Sequence, residues 1–91
     1  MTLSEAIVFV TEHSDGSADF TIVVDDDDHK FSASPNDGQA IVEYEESLSW
    51  RGEIRVSEPR NEVFKMLMQS NEMTDYLESN DLTGVRREKH D

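Results

Sequence analysis

The chain has no cysteine, only three lysines and no long hydrophobic run among its 91 residues. The absence of cysteine excludes disulfides, thiolate nucleophiles and thiolate metal sites, and it leaves the redox compartment undetermined. No apolar stretch approaches the roughly 20 residues that span a membrane, and the N-terminus has neither the basic residues nor the apolar core of a signal peptide. These absences predict a soluble, cytoplasmic protein.

Negative charge dominates what is present. The sequence has 21 Asp and Glu residues against eight Lys and Arg residues, which gives a formal net charge of −13. A hydrophobic content of 35% is low, but it includes seven aromatic residues and many Ile, Val and Leu residues. We therefore expect one compact domain over residues 1–91 with a heavily charged surface, rather than a disordered chain.

The acidic residues are concentrated in the first half of the chain. Residues 1–50 carry twelve acidic residues and one basic residue, Lys30, whereas residues 51–91 carry nine acidic and seven basic residues. A surface rich in Asp and Glu and poor in Lys resembles the small acidic proteins of halophilic archaea. The resemblance implies adaptation to molar salt, where screening weakens the repulsion among carboxylates. The competing interpretation is a nucleic-acid mimic or a ligand for a basic partner.

The N-terminal third predicts a meander of three β-strands. Residues 6–11 are apolar and β-branched, residues 19–24 alternate with period two, and residues 30–34 alternate polar with apolar side chains. Turns are predicted between them, at residues 13–17, which include an Asp-Gly pair, and at the four aspartates of residues 25–28.

Residues 35–48 admit two interpretations. Ser34 and Pro35 suit the N-cap and the first turn of a helix. An apolar stripe with helical spacing follows at Ala40, Ile41, Tyr44 and Leu48. In the alternative, residues 35–38 form a turn and the residues after them alternate as a hairpin strand. We predict the helix, because the cap and the length of the stripe agree.

The remaining residues predict one more strand and two helical segments. Residues 49–56 alternate, with Trp50 on the inner face, and a helix begins near Pro59. Ser70 interrupts this helix, and a second segment ends at Asn80, which is suited to a left-handed conformation.

The order of these elements predicts an α+β fold. An antiparallel sheet, built from the three-strand meander and one or two later strands, packs against two or three helices in a two-layer sandwich. Residues 82–88 are either a last strand of this sheet or a docked tail.

Neither a catalytic nor a metal site is predicted. The aspartate run before His29 lacks the glycine and the glutamate that an EF-hand loop requires. His13, His29 and His90 show no metal-binding spacing, and we expect all three to be exposed. No inward-facing position carries a carboxylate, a histidine or a lysine for acid–base catalysis. We therefore predict no enzyme activity, no metal and no cofactor.

Four arginines are the first candidate binding surface. Arg51 and Arg55 share the outer face of a predicted strand, and Arg86 and Arg87 would lie beside them if the C-terminal segment pairs with that strand. Arginine is well suited to binding phosphate or carboxylate groups. Together the four residues are a candidate anion or nucleic-acid patch, although they would also neutralise neighbouring acidic residues.

The helix after Pro59 is the second candidate surface, because it carries more apolar side chains than one contact stripe requires. Met66 lies outside the stripe, and methionine-rich surfaces adapt readily to protein partners. Phe64, Met66 and Met73 are therefore the candidate partner interface, which a homodimer would bury.

These observations favour a small, non-enzymatic, halophilic domain that acts through protein–protein contacts as a homodimer. The alternative is a nucleic-acid-associated regulator that uses the arginine patch. A hydrolase or isomerase with a pair of carboxylates is the third and weakest hypothesis, because it needs a buried carboxylate with a raised pKa. No contact with a membrane is expected.

Overall fold

Six strands and two helices follow one another along the part of the chain that the structure describes. The structure is a computed structural model that describes residues 7–24, 27–49, 54–55 and 60–88, with side chains for residues 7–24, 27–45 and 62–88. The elements are β1 (Ile7–Glu12), β2 (Ala18–Val24), β3 (Asp27–Asn36), β4 (Gln39–Ser49), β5 (Ile54–Arg55), α1 (Arg60–Met68), α2 (Asn71–Ser79) and β6 (Gly84–Glu88).

The strands form one mixed sheet. β1, β2, β3 and β4 are antiparallel neighbours in that order, so the predicted N-terminal meander is confirmed. Beyond β4 lie β5, which is antiparallel to it, and β6, which is parallel to it. The α+β class is confirmed, but the prediction of a purely antiparallel sheet is wrong for β6. The chain returns to β4 through both helices, and such a crossover allows a parallel pair.

The predicted helix over residues 35–48 is wrong, because β3 continues to Asn36 and β4 begins at Gln39. Between them Asp37 and Gly38 have φ angles of 50° and 79°. Two successive left-handed residues form the tight turn typical of a two-residue hairpin, and they are incompatible with a right-handed helix. The hairpin also buries Ala40 and Val42 in the core.

The core lies between one face of the sheet and the two helices. Alternate residues of β2, β3 and β4 are buried together with two residues from each helix: Ala18, Phe20, Ile22, Val24, Phe31, Ala33, Ala40, Val42, Val63, Leu67, Met73 and Tyr76. The Phe20 and Tyr76 rings pack edge to face, with their centroids 5.6 Å apart. This contact fixes α2 over the middle of β2.

The break between the helices is at Ser70, as predicted. The Ser70 hydroxyl accepts a hydrogen bond of 3.1 Å from the Met73 backbone N–H, which is the N-cap interaction of α2. At the other end of α2 the prediction is wrong by one residue. Asn80 has a φ of −109° and caps the helix, whereas the left-handed residue is Asp81, with a φ of 54°.

The two alternatives for residues 82–88 are resolved in favour of a strand, since Gly84–Glu88 form β6. Trp50 and the predicted inner face of its strand lie outside the described residues. Neither of the helices described is long and apolar enough to cross a membrane.

Candidate functional site

Strand β1 lies at an edge of the sheet. Within the described part of the chain it pairs with β2 alone, over six consecutive residues and without a bulge. An edge strand presents unpaired N–H and C=O groups, which charged residues or bulges usually protect from other chains. Residues 7–11 contain no charged residue, and Ile7 and Phe9 are 59% and 57% exposed. Among the described residues, none pairs with the outer edge of β1, which leaves this edge available to another strand.

The two faces of β1 differ in what surrounds them. In the register with β2, Val8 lies opposite Ile22 and Val10 lies opposite Phe20, so these residues share the helix-facing side of the sheet. Ile22 and Phe20 are fully buried, but Val10 is 38% exposed. The helices thus bury the helix-facing side of β2 and leave the helix-facing side of β1 partly open.

Two clefts lined by described residues lie between β1 and the helices. The larger has a volume of about 540 Å³, and its lining includes Ile7, Val8, Met66, Ser70, Asn71 and Glu72. The smaller has a volume of about 190 Å³ and is lined by Val10, Glu12, Glu72, Asp75, Tyr76 and Ser79. Glu72 lines both, so the clefts adjoin each other along β1. We call them together the β1–α2 groove.

The groove changes in chemistry along its length. Beside the beginning of β1 the apolar side chains of Val8 and Met66 share the lining with the polar residues Gln69, Ser70 and Asn71. Beside the end of β1 it is acidic, because Glu12, Glu72 and Asp75 line the smaller cleft. Neither a lysine nor an arginine is among the described residues that line either cleft. The groove therefore offers an open strand edge, an apolar surface and negative charge in one place.

Tyr76 forms the floor of the acidic end. Its hydroxyl donates a hydrogen bond of 2.7 Å to the Gly16 carbonyl oxygen, which ties α2 to the turn between β1 and β2. Burial raises the pKa of the Tyr76 hydroxyl, and the carboxylates of Glu12 and Asp15 raise it further. The neutral phenol is therefore the stable form at this position.

The predicted partner interface is not one surface. Met66 does line the groove, and Phe64 is half-buried with its ring 6.2 Å from that of Phe31. Met73 is completely buried, so its inclusion in the interface is wrong. The physical reason is that Met73 and Tyr76, one helical turn apart on α2, both point into the core. The sequence pattern alone could not separate the core stripe from the groove.

The predicted arginine patch is wrong for the two arginines whose side chains are described. β6 pairs with β4, and adjacent residues of a strand point to opposite faces. The Arg87 guanidinium lies 4.7 Å from the centre of the Phe64 ring on the helix side, whereas Arg86 is exposed beside Ile41 on the other face. Arg51 and the side chain of Arg55 lie outside the described residues.

His29 is buried, which corrects the prediction that it is exposed. Its exposed fraction is 4%, and its Nδ1 atom lies 3.4 Å from the Tyr44 hydroxyl. The error has a simple origin: β3 begins at Asp27, so His29 alternates with Phe31 and Ala33 on the core face. Extending the period of two backwards from Phe31 identifies this position.

The buried environment of His29 changes its titration. Desolvation lowers the pKa of His29, although the carboxylates of Asp27 and Asp28 oppose the shift. His13 is exposed, as predicted, and its Nε2 atom lies 2.7 Å from Asp19 Oδ2. No group of three His, Asp or Glu residues within the described ranges is arranged to hold a metal ion.

The chain was compared with family models, curated proteins and solved structures. No family model, curated protein or solved structure matches this chain. The outer edge of β1 and the groove beside it are the features of the described residues that bear on function.

Proposed function

We propose that this protein is a non-enzymatic protein-interaction domain that binds an extended segment of a partner protein beside β1. The observation that carries the proposal is an uncharged edge strand, residues 7–11, on which Ile7 and Phe9 are more than half exposed. Addition of a strand to an open sheet edge is a recurrent mode of peptide recognition. Main-chain hydrogen bonds supply affinity in this mode, and pockets for alternate side chains supply specificity.

The groove supports an extended ligand rather than a compact one. It follows β1 from Val8 to Glu12, and these five residues span about 13 Å in a strand. A partner strand paired with β1 would direct every second side chain into this groove. Met66, which the sequence marks as surplus apolar surface, lines the groove at the same end as Val8. The proposal therefore keeps the expected protein–protein contacts but moves them from the helix after Pro59 to the edge strand β1.

A homodimer is the second candidate, and the same strand favours it. In an isologous dimer β1 would pair with the β1 of a second copy around a two-fold axis. Each copy brings a net charge of −13, which opposes such pairing except at high salt. A partner segment without that charge is the better fit to the edge. The nucleic-acid hypothesis receives less support, because Arg86 and Arg87 point to opposite faces.

The acidic surface supports function in molar salt, as in the cytoplasm of a halophile. We expect the midpoint of thermal unfolding to rise clearly between about 0.1 M and about 2 M KCl, since salt screens the carboxylates and strengthens apolar burial. A midpoint that is flat or falls with added KCl contradicts halophilic adaptation. It leaves the assignment of the binding edge unchanged.

A peptide selection tests the proposed function. Displayed linear peptides of about nine residues, long enough for a strand, are selected on the wild type and on the variants Phe9→Asp and Ile41→Asp. Both substitutions place an acid on the open face of the sheet, but only Phe9 lies on the edge strand. Selected peptides should bind the wild type and Ile41→Asp, lose affinity for Phe9→Asp, and shift the amide resonances of β1. Failure to select any peptide, or shifts confined to other strands, overturns the proposal.

A further inference from the structure

The partner segment proposed above can be specified by its charge. We infer that the β1–α2 groove binds an extended segment in which apolar residues at one end are followed, at alternate positions, by lysine or arginine. The inference rests on the proposed strand addition and deepens it. It depends on the order of apolar and acidic side chains along the groove and on the charge of the chain as a whole.

The order of side chains fixes the pattern of the partner. Val8 and Met66 line only the beginning of the groove, and Glu12 and Asp75 line only its end, whereas Glu72 lines both parts. Val8 and Glu12 are four residues apart on the same side of β1. In a paired strand, an apolar side chain opposite Val8 and a cationic side chain opposite Glu12 would therefore also be separated by four residues, with one further groove-facing position between them.

Charge complementarity distinguishes this occupant from the others. Glu12, Glu72 and Asp75 line the smaller cleft, and the groove contains no described lysine or arginine that could neutralise them. The carboxylate of Glu12 also raises the pKa of the Tyr76 hydroxyl, which is consistent with a negative potential at this end. A second copy would bring further negative charge to the same place, whereas a cationic segment would remove it.

The test uses synthetic peptides of sequence LTLTKTK and its reverse, KTKTLTL, because either strand direction satisfies the pattern. Matched peptides carry glutamine or glutamate in place of both lysines. Affinity is measured by fluorescence anisotropy with the full chain. One lysine peptide should bind on the order of tenfold more tightly than its glutamine counterpart at low salt, since exposed ion pairs contribute modestly and the partner contributes two charges. The difference should shrink at about 1 M salt.

Two protein variants separate the groove from the general negative charge. Glu12→Gln combined with Asp75→Asn should abolish most of the preference for lysine, because both carboxylates line the acidic end. Glu45→Gln combined with Glu78→Gln removes the same charge from exposed positions outside the groove, and it should leave the preference nearly unchanged.

The outcomes distinguish the inference from the proposal on which it rests. Equal binding of the lysine, glutamine and glutamate peptides overturns the cationic specificity but leaves strand addition intact. An equal loss of preference in both double variants also overturns it, because the attraction is then not specific to the groove. A dimeric mass by light scattering, which the peptide does not reduce, identifies a second copy as the occupant and overturns the inference. The absence of binding by every peptide, selected or designed, overturns both.

Discussion

Strands β1 and β2 are neighbours of similar composition, but their apolar side chains differ in how deeply they are buried. Phe20 of β2 is fully buried beneath Tyr76, whereas Phe9 of β1 is 57% exposed. The difference arises from position, because α1 and α2 cover the centre of the sheet and leave its β1 edge open. An apolar strand in the centre stabilises the fold, and a similar strand at the edge is available to a partner.

The largest expected effect comes from truncating the two phenylalanines. Phe20→Ala should lower the free energy of unfolding by about 3–5 kcal/mol, because it opens a cavity beneath α2. Phe9→Ala should lower it by less than about 1 kcal/mol, since more than half of that side chain is already in solvent. Urea unfolding of both variants measures the difference. Similar losses in the two variants contradict the contrast between the strands.

A smaller loss of stability is expected from removing the hydrogen bond that joins α2 to the turn between β1 and β2. Tyr76→Phe keeps the ring contact with Phe20 but removes the hydrogen bond to the Gly16 carbonyl oxygen. The loss should be about 1–2 kcal/mol, the typical cost of leaving a partly buried acceptor without its donor. Thr74→Ala removes a weaker, exposed hydrogen bond on the same helix and serves as the control. If Tyr76→Phe loses no more free energy of unfolding than Thr74→Ala, the hydrogen bond from Tyr76 to Gly16 does not stabilise the fold.

The third effect is smaller still and depends on pH. The pKa of His29 is lowered from its ordinary value of about 6.5, so the unfolded chain takes up a proton that the folded chain excludes. The stability that His29 provides is full above pH 6.5 and is lost as the pH falls below that value toward the folded pKa. Urea midpoints at about pH 7.5 and about pH 5.5 measure this loss.

The His29→Gln variant should reduce that pH dependence, and His13→Gln, in the exposed turn between β1 and β2, provides the control. A titration of the histidine ring protons should place the pKa of His29 below 6.5. A value above 6.5 for His29, or an equal change of pH dependence in the two variants, contradicts the assignment.

Part of the fold follows from local patterns that the sequence displays directly. The alternation of residues 19–24 predicts β2, and Ser70 predicts the break between the helices. The apolar spacing after Gly38 fits both a helix and a strand, and the Asp37-Gly38 pair is a local signal of the left-handed hairpin turn that competes with the helix cap at Ser34. The choice between the two is made by β3, which supplies a pairing partner for β4.

The candidate site depends even more on distant residues. The composition of β1 suits a central strand as well as an edge strand, and its place at the edge is set by β5 and β6 joining the opposite side of β4. Met66 could be recognised as surplus apolar surface on α1. Its proximity to Val8 could not, because the two residues are brought together only when the helices pack on the sheet.

The central claim is that β1 is the edge at which a partner strand is added, and amide hydrogen exchange tests it most directly. Exchange is measured residue by residue in the free protein and in the protein saturated with the tighter-binding lysine peptide. The account predicts slower exchange in β1, where new main-chain hydrogen bonds form, with little change in β3, which already has partners on both sides. Unchanged exchange in β1, with protection confined to β5 or β6, would contradict it.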